Sequence, residues 1–225
     1  MHYINIQIKM KYILVTLAFF TLFACEQKTT QSTKSNIKLA IQPYGDFSNQ
    51  EVMMANKVLD SFFELDIIVL PSKKLDTRSF VKIKLPRYRA DSIINFQKEF
   101  IKDGSFDYIL GLTNKDISTT KKEKVKLNPT YLDWGVLGLA HLNGNSCVIS
   151  TKRMKKDIQP KKFGLRFQKV VIHEFGHNLN LPHCPDTKCV MTSAVERITN
   201  IDNASLAFCD PCIAKMKLKP KSYGH

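Results

Sequence analysis

The sequence contains no internal repeat, no long low-complexity tract and no apolar run long enough to cross a bilayer as a stable helix. Those absences exclude solenoids, fibrous chains and multi-span membrane proteins, and leave a globular fold. Its 225 residues, 44% hydrophobic and 24% charged, suffice for one substantial core and no second one. Acidic residues are scarce, with 20 Asp and Glu against 34 Lys and Arg, for a formal net charge of +14. Such a balance suits nucleic acid, an anionic membrane surface or an acidic substrate. Because the basic residues are spread along the whole chain, it reads more simply as a solvated, lysine-rich surface.

The amino terminus reads as an export signal. Lys9 and Lys11 precede the apolar run Tyr12 to Phe23, which ends in Leu22-Phe23-Ala24-Cys25 and turns polar at Glu26. Met10 offers an alternative start. The pattern resembles a bacterial lipoprotein signal, which implies removal of residues 1–24 and acylation of Cys25. Residues 25–36 then form a polar tether and residues 37–225 a single domain. The expectation is an exported, membrane-anchored lipoprotein of the cell envelope.

Ile37 to Gln42 reads as a strand closed by Pro43, Tyr44 and Gly45. Ser48 with Glu51 three residues on is a capping-box pattern. Val52, Ala55, Leu59 and Phe62 then recur at helical spacing and predict a helix over 49–64. Strands are expected at Asp66–Leu70, Tyr108–Leu112, Gly135–Leu142 and Cys147–Thr151. The last two form a hairpin about Asn143-Gly144-Asn145. Further helices are expected at Ala90–Ile101 and Phe163–Leu179. Alternating strands and helices predict a mixed α/β or α+β domain whose sheet is covered mainly on one side.

His173-Glu174-Phe175-Gly176-His177 places two histidines four apart on one helix face, one turn from each other. Both imidazoles can hold one metal ion, while Glu174, beside the first, can reach a water at the open position as general base. Zinc suits imidazole ligands with one site left free. Pro182 forces the chain to turn, which can bring His183 back as a third ligand.

His173 to His183 follows the H-E-x-x-H-x-x-G-x-x-H signature except at Asn180, which stands where the pattern has glycine. The run continues as Cys184, Cys189-Val190-Met191 and Cys209-Asp210-Pro211-Cys212. Across these forty residues the chain resembles the archaemetzincin family. The resemblance implies a metzincin-like domain: a mostly parallel mixed sheet with an antiparallel edge strand, an active-site helix and a zinc-bound carboxy-terminal segment. It implies a zinc metallopeptidase acting on peptides or proteins, with Met191 as the Met-turn beneath the three histidines. Val136, Leu137, Gly138, Leu139, Ala140 and His141 would be the strand that pairs with an extended substrate. Asparagine tolerates the positive φ that the glycine position demands, so the turn is expected to survive. Residues 26–36 hold no cysteine of the kind an inhibitory pro-segment could use.

Cys147 lies in an apolar run and reads as a core thiol. Cys184, Cys189, Cys209 and Cys212 have spacings suited to a tetrahedral zinc site. The resemblance implies a structural zinc there, for two zinc ions in all; two disulfides are the alternative in an exported protein. A monomer without a nucleic-acid partner is expected. The rival readings are a catalytically inactive zinc-binding envelope protein that binds peptides, supported only by Asn180 and opposed by the retained Glu174, and a nucleic-acid-binding zinc ribbon, opposed by the export signal and the three-histidine site.

Overall fold

The computed structural model describes residues 37–121, 124, 126, 128–155, 159–193 and 198–221. The signal at 1–24, Cys25 and the remaining tether to residue 36 lie outside the described residues.

The main sheet has the strand order β2-β1-β5-β9-β8. Strands β1 (Lys38–Pro43), β2 (Asp66–Val69), β5 (Tyr108–Thr113) and β9 (Ser146–Ser150) run parallel, and β8 (Gly138–Ala140) lies antiparallel along the edge. This is the mostly parallel sheet with an antiparallel edge strand. Residues of β1 alternate between faces: Leu39 and Ile41 join one core, and Ala40 another. The helices α1 (Asn49–Phe62) and α3 (Pro160–Asn178) cover the first face, where Leu59, Phe62, Phe167, Val171 and Phe175 meet Leu110, Leu112, Cys147 and Ile149. Cys147 is a fully buried free thiol of that core.

The opposite face is also covered. Helix α2 (Ala90–Gln97) packs Ile93 and Ile94 near Val148, and the 3₁₀ turn that follows sets Ile101 against Ala40 and Ile109. The expected one-sided cover is therefore corrected: parallel strands this buried need apolar neighbours on both faces. The helix expected over 90–101 tightens after Gln97 into that 3₁₀ turn.

Other local expectations shift as well. Ser48 precedes α1, but its side chain makes no capping bond; only its carbonyl accepts the Val52 N–H, at 3.0 Å. Glu51 instead pairs with Lys155 at 2.5 Å, a charged partner outcompeting a backbone amide. Helix α1 stops at Phe62. Helix α3 starts at Pro160, where a proline in the first turn loses no helical bond, three residues before the expected Phe163.

A second sheet, order β3-β4-β6-β7, was not foreseen. It comprises β3 (Phe80–Lys82), β4 (Pro86–Arg89), β6 (Ile117–Thr119) and β7 (Trp134–Val136). The expected strand Gly135–Leu142 is thus two: β7 pairs with β6, and β8 pairs with β9. Asp116 joins this sheet to the chain after β9, accepting from Arg87 at 2.8 Å and from Arg153 at 2.6 and 2.9 Å. Arg87 also meets the fully buried carboxylate of Asp133 at 2.9 Å. Two further helices, α4 (Ile198–Asn203) and α5 (Asp210–Lys215), lie in the carboxy-terminal part. Among the described residues no helix is long and apolar enough to cross a membrane.

Candidate active site and metal centre

Helix α3 is anchored by Phe167, Val171 and Phe175, which leaves His173 and His177 on a neighbouring face, one turn apart. The Nδ1 of His173 lies 2.8 Å from the Val190 carbonyl, and that of His177 lies 2.7 Å from the Leu181 carbonyl. A carbonyl can only accept, so both Nδ1 atoms carry the proton and both Nε2 atoms present lone pairs. Those two Nε2 atoms are 3.2 Å apart. Two lone pairs at that distance repel; a cation between them turns the repulsion into ligation. Burial lowers the basicity of both rings, to a pKa of about 3 for His173 and about 4 for His177, so neither proton excess nor a ring–ring bond relieves the contact. The residues present therefore fit a metal ion.

His183 completes the group, its ring centroid 5.3 Å from that of His173 and 4.9 Å from that of His177. One donor atom from each ring falls within 4.8 Å of the others. The return of the chain depends on how α3 ends. Leu181 N–H donates to the Gly176 carbonyl at 3.0 Å and Asn180 N–H to that of His177 at 3.0 Å. These are the paired bonds of a Schellman motif, which needs a left-handed residue between them. Asn180 supplies it at φ 72°. The turn that the departure from glycine put in question is intact.

Glu174 lies against β8: a Cβ added to Gly138 would sit 2.6 Å from its Cγ. Burial pushes its carboxyl up to about 8. Met191 is fully buried against the same helix, its Sδ 2.5 Å from where a Cβ on Gly176 would lie.

The four later cysteines also converge. Cys184 and Cys209 Sγ are 3.6 Å apart, and Cys189 and Cys212 Sγ 3.8 Å apart. A tetrahedron with zinc–sulfur bonds of 2.3 Å has edges of about 3.8 Å. All four are free thiols within 4.8 Å of one another. Met191 N–H and Cys209 N–H point at Cys189 Sγ, at 3.5 and 3.4 Å, as suits a thiolate ligand. Met191 also links the two clusters, its carbonyl accepting from Cys184 N–H at 2.8 Å.

The histidines and Glu174 open into a cleft of about 970 Å³, lined along one side from Trp134 to Ala140. Of the expected substrate strand, Gly138, Leu139 and Ala140 form β8, Val136 belongs to β7, Leu137 bridges them, and His141 lies in the turn beyond. Lys169, Lys152, Arg153 and Asp116 also line the cleft. Sequence reasoning passed over all four. Lys169 could have been noticed, since it precedes His173 by four on the same helix face; Asp116 and Arg153 become neighbours only through the fold.

The model of peptidase family M54 matches residues 53–218. The chain belongs to this family. It is 29% identical over 180 residues to the archaemetzincin of Haloquadratum walsbyi, covering 76% of this chain and 95% of that one. It is 29% identical over 151 residues to that of Methanopyrus kandleri, covering 67% and 77%. The crystal structure of the Methanopyrus kandleri archaemetzincin superimposes with a TM-score of 0.62 at 26% identity, over 78% of this chain and 91% of that one. The fold is likewise that of the Archaeoglobus fulgidus archaemetzincin, complexed with malonate, at a TM-score of 0.65 and 24% identity over 80% and 100%. As an M54 peptidase the chain is a zinc metallopeptidase with peptide substrates. Its histidine and cysteine groups are its candidate metal sites.

Proposed function

We propose that the protein cleaves peptide bonds at a zinc ion held by His173, His177 and His183, with Glu174 as the general base. The observation that carries this reading is the 3.2 Å approach of two Nε2 atoms whose Nδ1 atoms are committed to carbonyls. Zinc held there supplies Lewis acidity, polarising the scissile carbonyl and making water more acidic. Glu174, next along the helix, accepts a proton at its carboxylate and returns it to the departing amine. Its contact with Gly138 of β8 supports a base acting beside the strand proposed to meet the substrate. β8 is an edge strand, so its outward backbone groups can pair with an extended peptide with little demand on side chains.

A second zinc ion at Cys184, Cys189, Cys209 and Cys212 holds the segment that follows His183. Its role is to keep the third ligand and the Met191 turn in place. The signal pattern at residues 1–24 supports export, and Cys25 supports a lipid anchor that tethers a monomeric domain at the cell envelope.

The test is metal content per chain of the purified protein, compared with His177→Ala and with Cys209→Ser, Cys212→Ser. Two zinc ions in the wild type, with one lost in each variant, is the expected result. A folded protein that binds no zinc at the histidines would overturn the enzyme reading.

A further inference from the structure

Lys169, His173 and His177 follow one another at intervals of four along α3, so the lysine lies on the ligand-bearing face one turn before His173. Neighbours at this spacing have Cβ atoms about 6 Å apart. Lys169 is only 4% exposed, yet it lines the cleft together with Val170, Ile201 and Ala204. Its Nζ donates to the carbonyls of Ile201 and Asp202, each at 3.0 Å. An ammonium has three N–H groups, and these two bonds leave one.

Among the described residues no carboxylate bonds that ammonium. The nearby carboxylate of Asp202 is taken by Arg166, at 2.8 and 2.7 Å, and by Lys162 at 3.1 Å. A buried cation whose own bonds go to carbonyls, and which feels the Asp202 charge only at a distance and in competition with Arg166 and Lys162, is only partly compensated for the water it has lost. Among the described residues the carboxylates of the cleft are Asp116, which is shared between Arg87 and Arg153, and Glu174, while Lys152 adds a further positive charge to the lining. The cavity therefore carries a positive field.

We propose that Lys169 is a specificity-determining residue that receives an acidic side chain beside the scissile bond, so that the cleft selects peptides carrying Asp or Glu there. The proposal rests on the peptidase reading of the same site. The incoming carboxylate accepts the remaining Nζ–H and supplies the direct charge partner that Asp202, engaged by Arg166 and Lys162, does not. A carboxamide at that position gives a weaker bond, and a lysine is repelled.

The experiment uses alanine-based decapeptides in which a single Glu, Gln or Lys is walked through every position. Each is titrated by fluorescence anisotropy onto zinc-loaded, full-length Glu174→Gln protein. Glu at one position should tighten binding about tenfold over Gln at the same position, and Lys there should weaken it. Adding Lys169→Gln, which keeps an N–H donor for the α4 carbonyls, should erase the difference; Lys169→Arg should retain it. Equal binding of the Glu and Gln series, no binding by any series, or an acid preference that survives Lys169→Gln overturns the proposal. Cleavage by the wild type is read separately. Peptides bound with acid preference yet left uncut would remove the peptidase reading and keep the charge selection, while cleavage indifferent to Glu would do the reverse.

Discussion

Met191 packs so tightly against Gly176 that a single carbon added to the glycine would lie 2.5 Å from the Met191 sulfur. Gly176 stands between Glu174 and His177, so the second variable position of H-E-x-x-H is under a steric demand from below the helix. Gly176→Ala should displace the end of the Met191 side chain, which is fully buried, so the shift is passed to the packing around it. The expected cost is about 1–3 kcal/mol in unfolding free energy, with weaker zinc binding; denaturant titration and metal competition measure the two. Unchanged zinc affinity would mean that Met191 does not support the ligands.

Glu174→Gln removes the proposed base and keeps the shape. The variant should retain its fold and zinc while losing hydrolysis by about 10²- to 10⁴-fold. Metal analysis beside peptide turnover checks it. Gly138→Ala should act through the same residue by pushing its carboxylate aside, lowering kcat more than it raises KM.

Asn180→Gly should leave zinc affinity and activity near wild type, because glycine adopts the left-handed conformation freely. Asn180→Ala should cost about 1 kcal/mol, since alanine keeps the Cβ that is disfavoured at φ 72° and loses the short amide that makes asparagine tolerable there. Thermal unfolding of the two variants orders them, and an alanine variant as stable as the glycine one would remove the turn's role.

Asp202 provides a pH-dependent contact behind Lys169, its backbone carbonyl accepting from that ammonium. The bonds from the Arg166 guanidinium hold its carboxyl below the ordinary value. A carboxylate depressed in the folded state contributes stability above its unfolded pKa, about 3.9, and loses it as pH falls. Asp202→Asn should cost about 3 kcal/mol at neutral pH, because Arg166 is left buried without a counter-charge. The gap from wild type should narrow below about pH 4, which urea unfolding across pH will reveal.

The metal-binding core was legible because its signals are local. The spacing of His173, His177 and His183 and of the four cysteines needs only a helix, a turn and a short return. The apolar strands Lys38–Pro43 and Tyr108–Thr113 were legible for the same reason. The second sheet was not, because Phe80–Lys82 and Pro86–Arg89 are short, basic and lack a buried alternation. Ser48 and Glu51 carried the right pattern for a cap, but a partner distant in sequence, Lys155, took the glutamate. The break of Gly135–Leu142 at Leu137 follows from pairing with two different strands, which no local pattern records.

His183 and Cys184 are consecutive residues that belong to different candidate metal sites, with no slack in the chain between them. Ordering the four thiols around an ion also spends most of the conformational entropy needed to seat the third imidazole. With an ion proposed at each site, reciprocity would make each raise the affinity for the other by the same factor. The two clusters would fill and empty as a cooperative pair, so that gradual chelation populates the fully loaded and fully stripped chains at the expense of the half-loaded one.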